Sequence, residues 1–178
     1  VNPSDSFEII AEGKFLQFVR RSRWEYVTRK GASGVVVVAA LTPEEKVLLV
    51  EQFRPPLGRR VIELPAGLAG DVAEAADEPL TEAAQRELVE ETGYRASHFE
   101  HVFTGPSSAG LTDEVLAIFV AKGLERASAG GGVEGEDIVV HEVPFAQVDA
   151  WLKEQAAAGC LIDVRVYTGL YFLRYNAT

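Results

Sequence analysis

The longest uninterrupted apolar run, Gly34 to Leu41, most restricts what this chain can fold into. It is far too short for the roughly 20 residues of a membrane span and suits a buried strand. Thr42-Pro43-Glu44-Glu45 and then Lys46 to Gln52 follow it, a strand–turn–strand pattern that predicts a hairpin. Val61 to Leu64 reads as another short strand, ended by Pro65. His101 to Thr104, Glu114 to Ala121 and Ile138 to Val143 are also strand-like. Leu80 to Glu91 reads as a helix: Ala83, Ala84 and Leu88 form an apolar stripe, and Gly93 suits the C-terminal cap. Two more helices are predicted, Pro144 to Ala157 with Gly159 beyond its end, and Asp163 to Tyr175 with Val166, Leu170 and Leu173 on one face. With no internal repeat or linker, residues 1–178 read as one domain, α+β or three-layer α/β/α.

Residues 6 to 30 read as three short strands rich in aromatic side chains. Phe7, Ile9 and Ile10 precede a turn at Glu12-Gly13; Phe15, Phe18 and Val19 follow, then Trp24, Tyr26 and Val27. Such strands have little bulk for a core of their own, so they are expected to pack on the main domain or on a second subunit. The formal net charge of −10 argues against general affinity for nucleic acid, whose phosphates would be repelled. An acidic protein that acts on an anion needs local correction by metal ions and a few placed arginines. No basic segment followed by an apolar core marks a secretory signal near the start. The single Cys160 favours a reducing compartment, so a cytoplasmic protein is expected.

The stretch with most chemical content runs from Glu78 to Tyr94. Glu87, Glu90 and Glu91 stand at i, i+3 and i+4, which puts three carboxylates on one helix face. Like charges so placed repel by a few tenths of a kcal/mol per pair. Hard oxygen ligands gathered this way suit Mg²⁺ or Mn²⁺; the plain alternative is a solvated acidic face.

The wider pattern reverses that balance. Glu78, seven residues, then Arg86-Glu87-Leu88-x-Glu90-Glu91-x-Gly93-Tyr94 closely resembles the Nudix box, and Pro65-Ala66-Gly67 resembles its approach. The resemblance implies an α/β/α sandwich around a mixed sheet and metal-assisted attack of water on a nucleoside diphosphate linked to another group. It implies Glu87 and Glu91 as metal ligands, Glu90 on or near the metals, and the Ala66 carbonyl as a further ligand. Arg86 would hold Glu78 and orient the helix. One departure is clear: ten residues separate Gly67 from Glu78 where the family usually has five, with the Ala-rich Gly70 to Asp77 between them, so five extra residues are expected to bulge from the loop before the helix.

Resemblance extends to the ADP-ribose and ADP-sugar pyrophosphatase subgroup through Trp24 to Arg29, Glu51 to Pro56, Ile62 to Gly67 and Asp163 to Tyr167. It implies that Trp24 stacks on adenine with Phe15 as partner, that Glu25 accepts from the adenine amino group, and that Arg29 and Arg54 bind phosphate. It also implies a homodimer in which residues 1–30 lie at the interface and each site borrows from both chains, with residues 31–178 as the catalytic core. The plain alternatives are core packing for the aromatics and surface ion pairs for the arginines.

The resemblance also implies that the Gly-rich acidic loop Gly130 to Asp137 supplies the general base, either Glu134 or Glu136, with the other as a metal ligand; its glycines would let the loop swing inward, and the plain alternative is a disordered acidic loop. Ser107 to Glu114 resembles a substrate loop with Glu114 near the ribose or metals, though Ala109 stands where these enzymes commonly carry Pro. His98, His101 and His141 lack ligand spacing. The expected activity is cleavage of ADP-ribose to AMP and ribose 5-phosphate. Its rivals are a Nudix hydrolase for GDP-mannose or a dinucleoside polyphosphate, and a Nudix-fold binding module without turnover.

Overall fold

The computed structural model describes residues 7–70, 78–133 and 135–176. The Gly34–Leu41 run becomes strand β4 (Gly34–Ala40), and its residues from Val36 to Ala40 have no solvent exposure. Alternate side chains of a strand face opposite sides, and here both sides are apolar. Val35, Val37 and Ala39 join one core, while Val36, Val38 and Ala40 join another. A strand buried on both faces must be covered by two layers. Helix α1 (Leu80–Thr92) covers one side through Ala83, Ala84 and Leu88. Helices α2 (Val148–Ala157) and α3 (Val164–Asn176) cover the other through Val148, Leu152, Val166, Leu170 and Leu173. The expected α/β/α sandwich is the observed architecture.

Strand β4 lies between β7 (Ala66–Ala69), antiparallel, and β9 (Val115–Arg126), parallel; β8 (Tyr94–Pro106) closes that sheet beyond β9. A second sheet holds β10 (Val139–Pro144), β5 (Lys46–Arg54), β6 (Arg59–Glu63) and β11 (Leu161–Ile162), in that order. The predicted hairpin between Gly34–Leu41 and Lys46–Gln52 is not formed. The turn exists, closed by the Thr42 N–H to the Lys46 carbonyl, but the two strands go to different sheets and share one isolated bridge, Leu41–Val47. Each found a longer partner elsewhere, β4 in β9 and β5 in β10.

The N-terminal strands β1 (Glu8–Glu12), β2 (Leu16–Arg21) and β3 (Trp24–Arg29) form a separate antiparallel sheet. The bridge Val27–Thr112 and the Val27 N–H bond to the Leu111 carbonyl tie it to the main body. Among the described residues, no helix is long and apolar enough to cross a membrane.

Candidate active site

Helix α1 begins after Pro79 and ends at Gly93, whose φ of 76° lets its N–H reach the Val89 carbonyl. The helix turns Glu87 and Glu91 inward, to 9% and 5% exposure, and leaves Glu90 half-buried on the flank. The three carboxylates therefore do not share one environment. Glu91 accepts the Ala66 N–H at 3.0 Å. Glu87 packs against the bare Cα of Gly67: a Cβ there would lie 2.0 Å from the Glu87 carboxyl carbon. Arg86 grips Glu78 through Nε and Nη2 at 3.2 and 3.1 Å, and the Leu68 carbonyl at 2.8 Å. Its Nη1 lies 2.7 Å from Glu87 and 3.4 Å from Glu90. Arg86 thus ties α1 to β7 at Leu68.

Glu87 and Glu91 open into a cavity of about 530 Å³. Three guanidinium groups line it, those of Arg29, Arg54 and Arg165. Six carboxylates face them: Glu63, Glu87, Glu91, Glu114, Glu136 and Asp163. Burial pushes the Glu91 carboxyl up to about 8; the Ala66 N–H opposes this, while Glu87, Glu136 and Glu63 add to it. A buried carboxylate among like charges lacks a cation, and hard oxygens of this kind suit a small divalent ion. Among the described residues, no three His, Cys, Asp or Glu side chains stand close enough together to hold a metal ion. Mg²⁺ does not require three, since it keeps several waters and binds through one or two carboxylates. The pair Glu87 and Glu91 fits such an ion, and Glu136 lines the same cavity.

The arginines are held by specific carboxylates. Arg29 donates through Nε and Nη2 to Glu114, both at 3.2 Å. Arg54 donates through Nε to Glu63 at 2.8 Å, leaving its Nη edge without a hydrogen bond to the described residues. The other Glu63 oxygen takes Arg165 Nη2 at 3.1 Å, and Arg165 also grips Asp163. Burial raises the Asp163 carboxyl, but Arg165 outweighs it and holds the group below the usual carboxylate range.

Of the predicted site residues, the cavity gathers Arg29, Arg54, Ala66, Glu87, Glu91, Glu114 and Glu136. Glu90 lines a neighbouring cavity with Glu78 and Arg86 instead. Glu134 lies outside the described residues. Glu25 pairs with Arg20 at 3.2 Å. Phe15 and Trp24 are 64% and 60% exposed and sit at opposite ends of the β2–β3 hairpin, opposite Lys30 and Arg21 respectively. One chain therefore does not bring them together. The sequence reading assigned no role to Glu63, Asp163 or Arg165. The available signal was a charged residue inside the apolar strand Val61–Leu64.

The family model described as NUDIX domain matches residues 32–162. The chain is 35% identical over 123 residues to the methanol dehydrogenase activator of Bacillus methanolicus, covering 68% of this chain and 64% of that protein. It is 42% identical over 91 residues to the ADP-ribose pyrophosphatase of Bacillus subtilis, covering 51% and 46%. It is 36% identical over 167 residues to the GDP-mannose pyrophosphatase of Cronobacter sakazakii, covering 89% and 80%. The chain thus spans less than two thirds of the first two relatives. The solved structure of an ADP compounds hydrolase superposes with a TM-score of 0.73 over 96% of this chain and 90% of its own, at 19% identity, a likeness of fold.

Proposed function

The chain belongs to the NUDIX domain family, and we propose that it hydrolyses the pyrophosphate bond of a nucleoside diphosphate sugar, ADP-ribose first, to AMP and ribose 5-phosphate. The carrying observation is the cavity in which buried Glu87 and Glu91 face Arg29 and Arg54. Nudix hydrolases generally need divalent metal ions, and we assign Mg²⁺ here, with Mn²⁺ as the next choice. Glu87 and Glu91 would hold it, with Glu136 or Glu90 beside them and the Ala66 carbonyl as a further donor. A bound divalent ion lowers the pKa of its water and neutralises charge on phosphate oxygens.

The chain's own groups supply the rest. The unoccupied Nη edge of Arg54 and the guanidinium of Arg29 bind phosphate oxygens in pairs. Glu136 or Glu134 takes the proton as water oxygen attacks phosphorus and the bridging P–O bond breaks. Glu114, hydrogen-bonded to Arg29, lies near the ribose. Arg86 and Glu78 keep the helix oriented.

Trp24 and Phe15 take the adenine only in a homodimer. Trp24 is five residues from Arg29 along β3, about 17 Å at strand rise, and an odd spacing points the two side chains to opposite faces. Trp24 therefore cannot serve its own cavity, and a second copy would present it; Glu25, next to it in β3, points to the other face, the one Arg29 takes. The exposed Ile9, Phe15, Phe18 and Trp24 support such an interface. A cytoplasmic setting agrees with the one free cysteine.

GDP-mannose is the second reading, favoured by the coverage of the GDP-mannose pyrophosphatase relative; Ala109, where ADP-ribose enzymes commonly carry Pro, weighs against ADP-ribose without pointing to a particular rival. A panel of ADP-ribose, other ADP-sugars, GDP-mannose, NADH and diadenosine polyphosphates with excess Mg²⁺, in which the nucleotide product formed (AMP from ADP-ribose) is read by chromatography, tests the proposal. Turnover of ADP-ribose above the others supports it; no turnover of any would sink it in favour of a binding module.

A further inference from the structure

The strip of chain that carries Glu136 is anchored at both ends. On the upstream side, the N–H groups of Gly131 and Gly132 donate to the carbonyls of Glu91 and Glu90 at 2.8 and 2.9 Å. Those carbonyls lie in the last turn of α1, where no intrahelical partner exists. Gly130 fits against the helix end so closely that a Cβ on it would lie 2.4 Å from the Thr92 carbonyl carbon. The loop therefore takes its register from the same helix that presents Glu87 and Glu91. This tethering contrasts with the free swing that its glycines implied.

The downstream anchor is a side-chain relay. Asp137 accepts Arg60 Nη1 at 2.8 Å, and Arg60 Nη2 reaches the Asp137 carbonyl at 3.5 Å. Arg60 Nε donates to Glu51 Oε1, and Nη2 to the Glu51 carbonyl at 3.3 Å. The other Glu51 oxygen meets His141 Nε2 at 2.8 Å; a carboxylate only accepts, so Nε2 carries the proton. The His141 ring packs on Trp151 of α2 with centroids 4.9 Å apart. The relay crosses β10, β5 and β6 and ends on the residue that follows Glu136.

We propose that Arg60 is a positioning residue for the hydrolysis, holding the Glu136 carboxylate in the cavity through Asp137. This rests on the hydrolase reading above. An ion pair to an Asp137 side chain that is 77% exposed adds little to global stability. Its effect is local: it pins one end of a short loop. On the far side of that loop a second cavity, lined by Gln52, Phe53, Arg60, Gly135, Glu136 and Asp137, gives the segment room to move once released.

The test compares Arg60→Gln, Asp137→Asn, the double variant and Arg60→Lys in the full chain. With the substrate that the wild type turns over best, kcat of each single variant falls about ten- to a hundredfold, as for outer-shell partners of a site. KM and Tm stay near wild type, the double variant is no worse than either single one, and Arg60→Lys recovers part of the loss. Amide hydrogen exchange across residues 131–138 reads the anchoring without turnover, and it speeds up in Arg60→Gln. Unchanged exchange overturns the proposal whether or not the enzyme is active. So does a kcat loss that tracks Tm or adds between the two single variants. Faster exchange in Arg60→Gln, beside a wild type that cleaves no nucleotide sugar, sinks the hydrolase reading and leaves Arg60 as the loop's anchor.

Discussion

Replacing Gly67 by Ala should damage the site without damaging the fold. Gly67 lies in β7 opposite Val36, at a φ that side chains adopt readily. A Cβ built there falls 2.0 Å from the Glu87 carboxyl carbon and 2.1 and 2.3 Å from its oxygens, where ordinary contact begins near 3.4 Å. The Glu87 carboxylate must therefore retreat by roughly 1.4 Å. It can do so by rotating about its own bonds, so the backbone has no reason to follow. In the unfolded chain Ala has less freedom than Gly, which favours the folded state by about 0.4–1 kcal/mol and offsets part of the crowding. A misplacement of about 1 Å at a reacting centre can cost on the order of a hundredfold in rate. We expect kcat for the best nucleotide sugar to fall by about that factor, half-saturation by Mg²⁺ to move to higher concentration, and Tm to change by no more than a few degrees. Steady-state kinetics over a Mg²⁺ series and thermal unfolding of the same preparation measure all three. A Gly67→Ala enzyme with wild-type kcat and wild-type metal dependence would falsify the assignment of Glu87 as a metal ligand.

Glu91→Gln should lower kcat by several orders of magnitude in a folded protein; wild-type-like turnover by metal-dependent assay would sink the metal site. One of Glu134→Gln and Glu136→Gln should lose about 10²–10⁴-fold in kcat with KM little changed, and full activity in both and in the double variant would move the base to Glu90. Sedimentation should give a dimer that buries roughly 1,200–2,000 Å², and Trp24→Ala should raise KM more than it lowers kcat; a monomer at micromolar protein would remove the shared adenine clamp. The pH dependence of stability should carry a mark of Glu142, whose carboxyl is held low by the Tyr94 hydroxyl, at 2.8 Å, and then by Lys46 and Arg126. A depressed folded pKa contributes stability above the ordinary carboxylate range and loses it as pH falls through the lowered value. Tyr94→Phe should therefore cost about 1 kcal/mol at neutral pH and less in acid, read by urea unfolding across a pH series; an equal cost at both ends would refute it.

The helices and the two central strands were legible because their signals are local. Leu80 to Glu91 was read as the helix and Leu80–Thr92 is observed, since the alanine stripe, the carboxylate spacing and Gly93 all act within one segment. Strand β7, Ala66–Ala69, carries no strand-forming side chain; it is extended because Val35, Val36 and Val37 offer it a partner. Strand β8 is 13 residues long where only His101 to Thr104 was read, because pairing with β9 overrides its mixed composition. The same division holds in the site. Glu87 and Glu91 share one helix, and the resemblance of Glu78 to Tyr94 to the Nudix box singled them out, since their spacing alone suits a solvated acidic face as well. Glu63 and Arg165 stand 102 residues apart and meet because β11 pairs with β6, Ile162 beside Ile62. No local pattern encodes that contact.

These pairings divide the cavity into two electrostatic halves. Arg29 is balanced by Glu114, and Arg54 with Arg165 by Glu63 with Asp163, so the wall built from β3, β5, β6 and the start of α3 is close to neutral. It still presents guanidinium edges, and these can donate to phosphate oxygens without first shedding a full carboxylate partner. The other carboxylates of the cavity, Glu87 and Glu91 on α1 with Glu136 on the loop, crowd like charge together, which adds to the burial that pushes Glu91 up to about 8; Arg86 stands beside Glu87. A pyrophosphate could not approach these carboxylates unaided, because like charges in a partly buried site repel strongly. In the proposed reading, divalent cations held there would offset that charge and leave the phosphates between a metal face and an arginine face. A chain that is acidic throughout could then bind an anion, because the correction would be needed on one side of one cavity only, by ions that the same carboxylates attract.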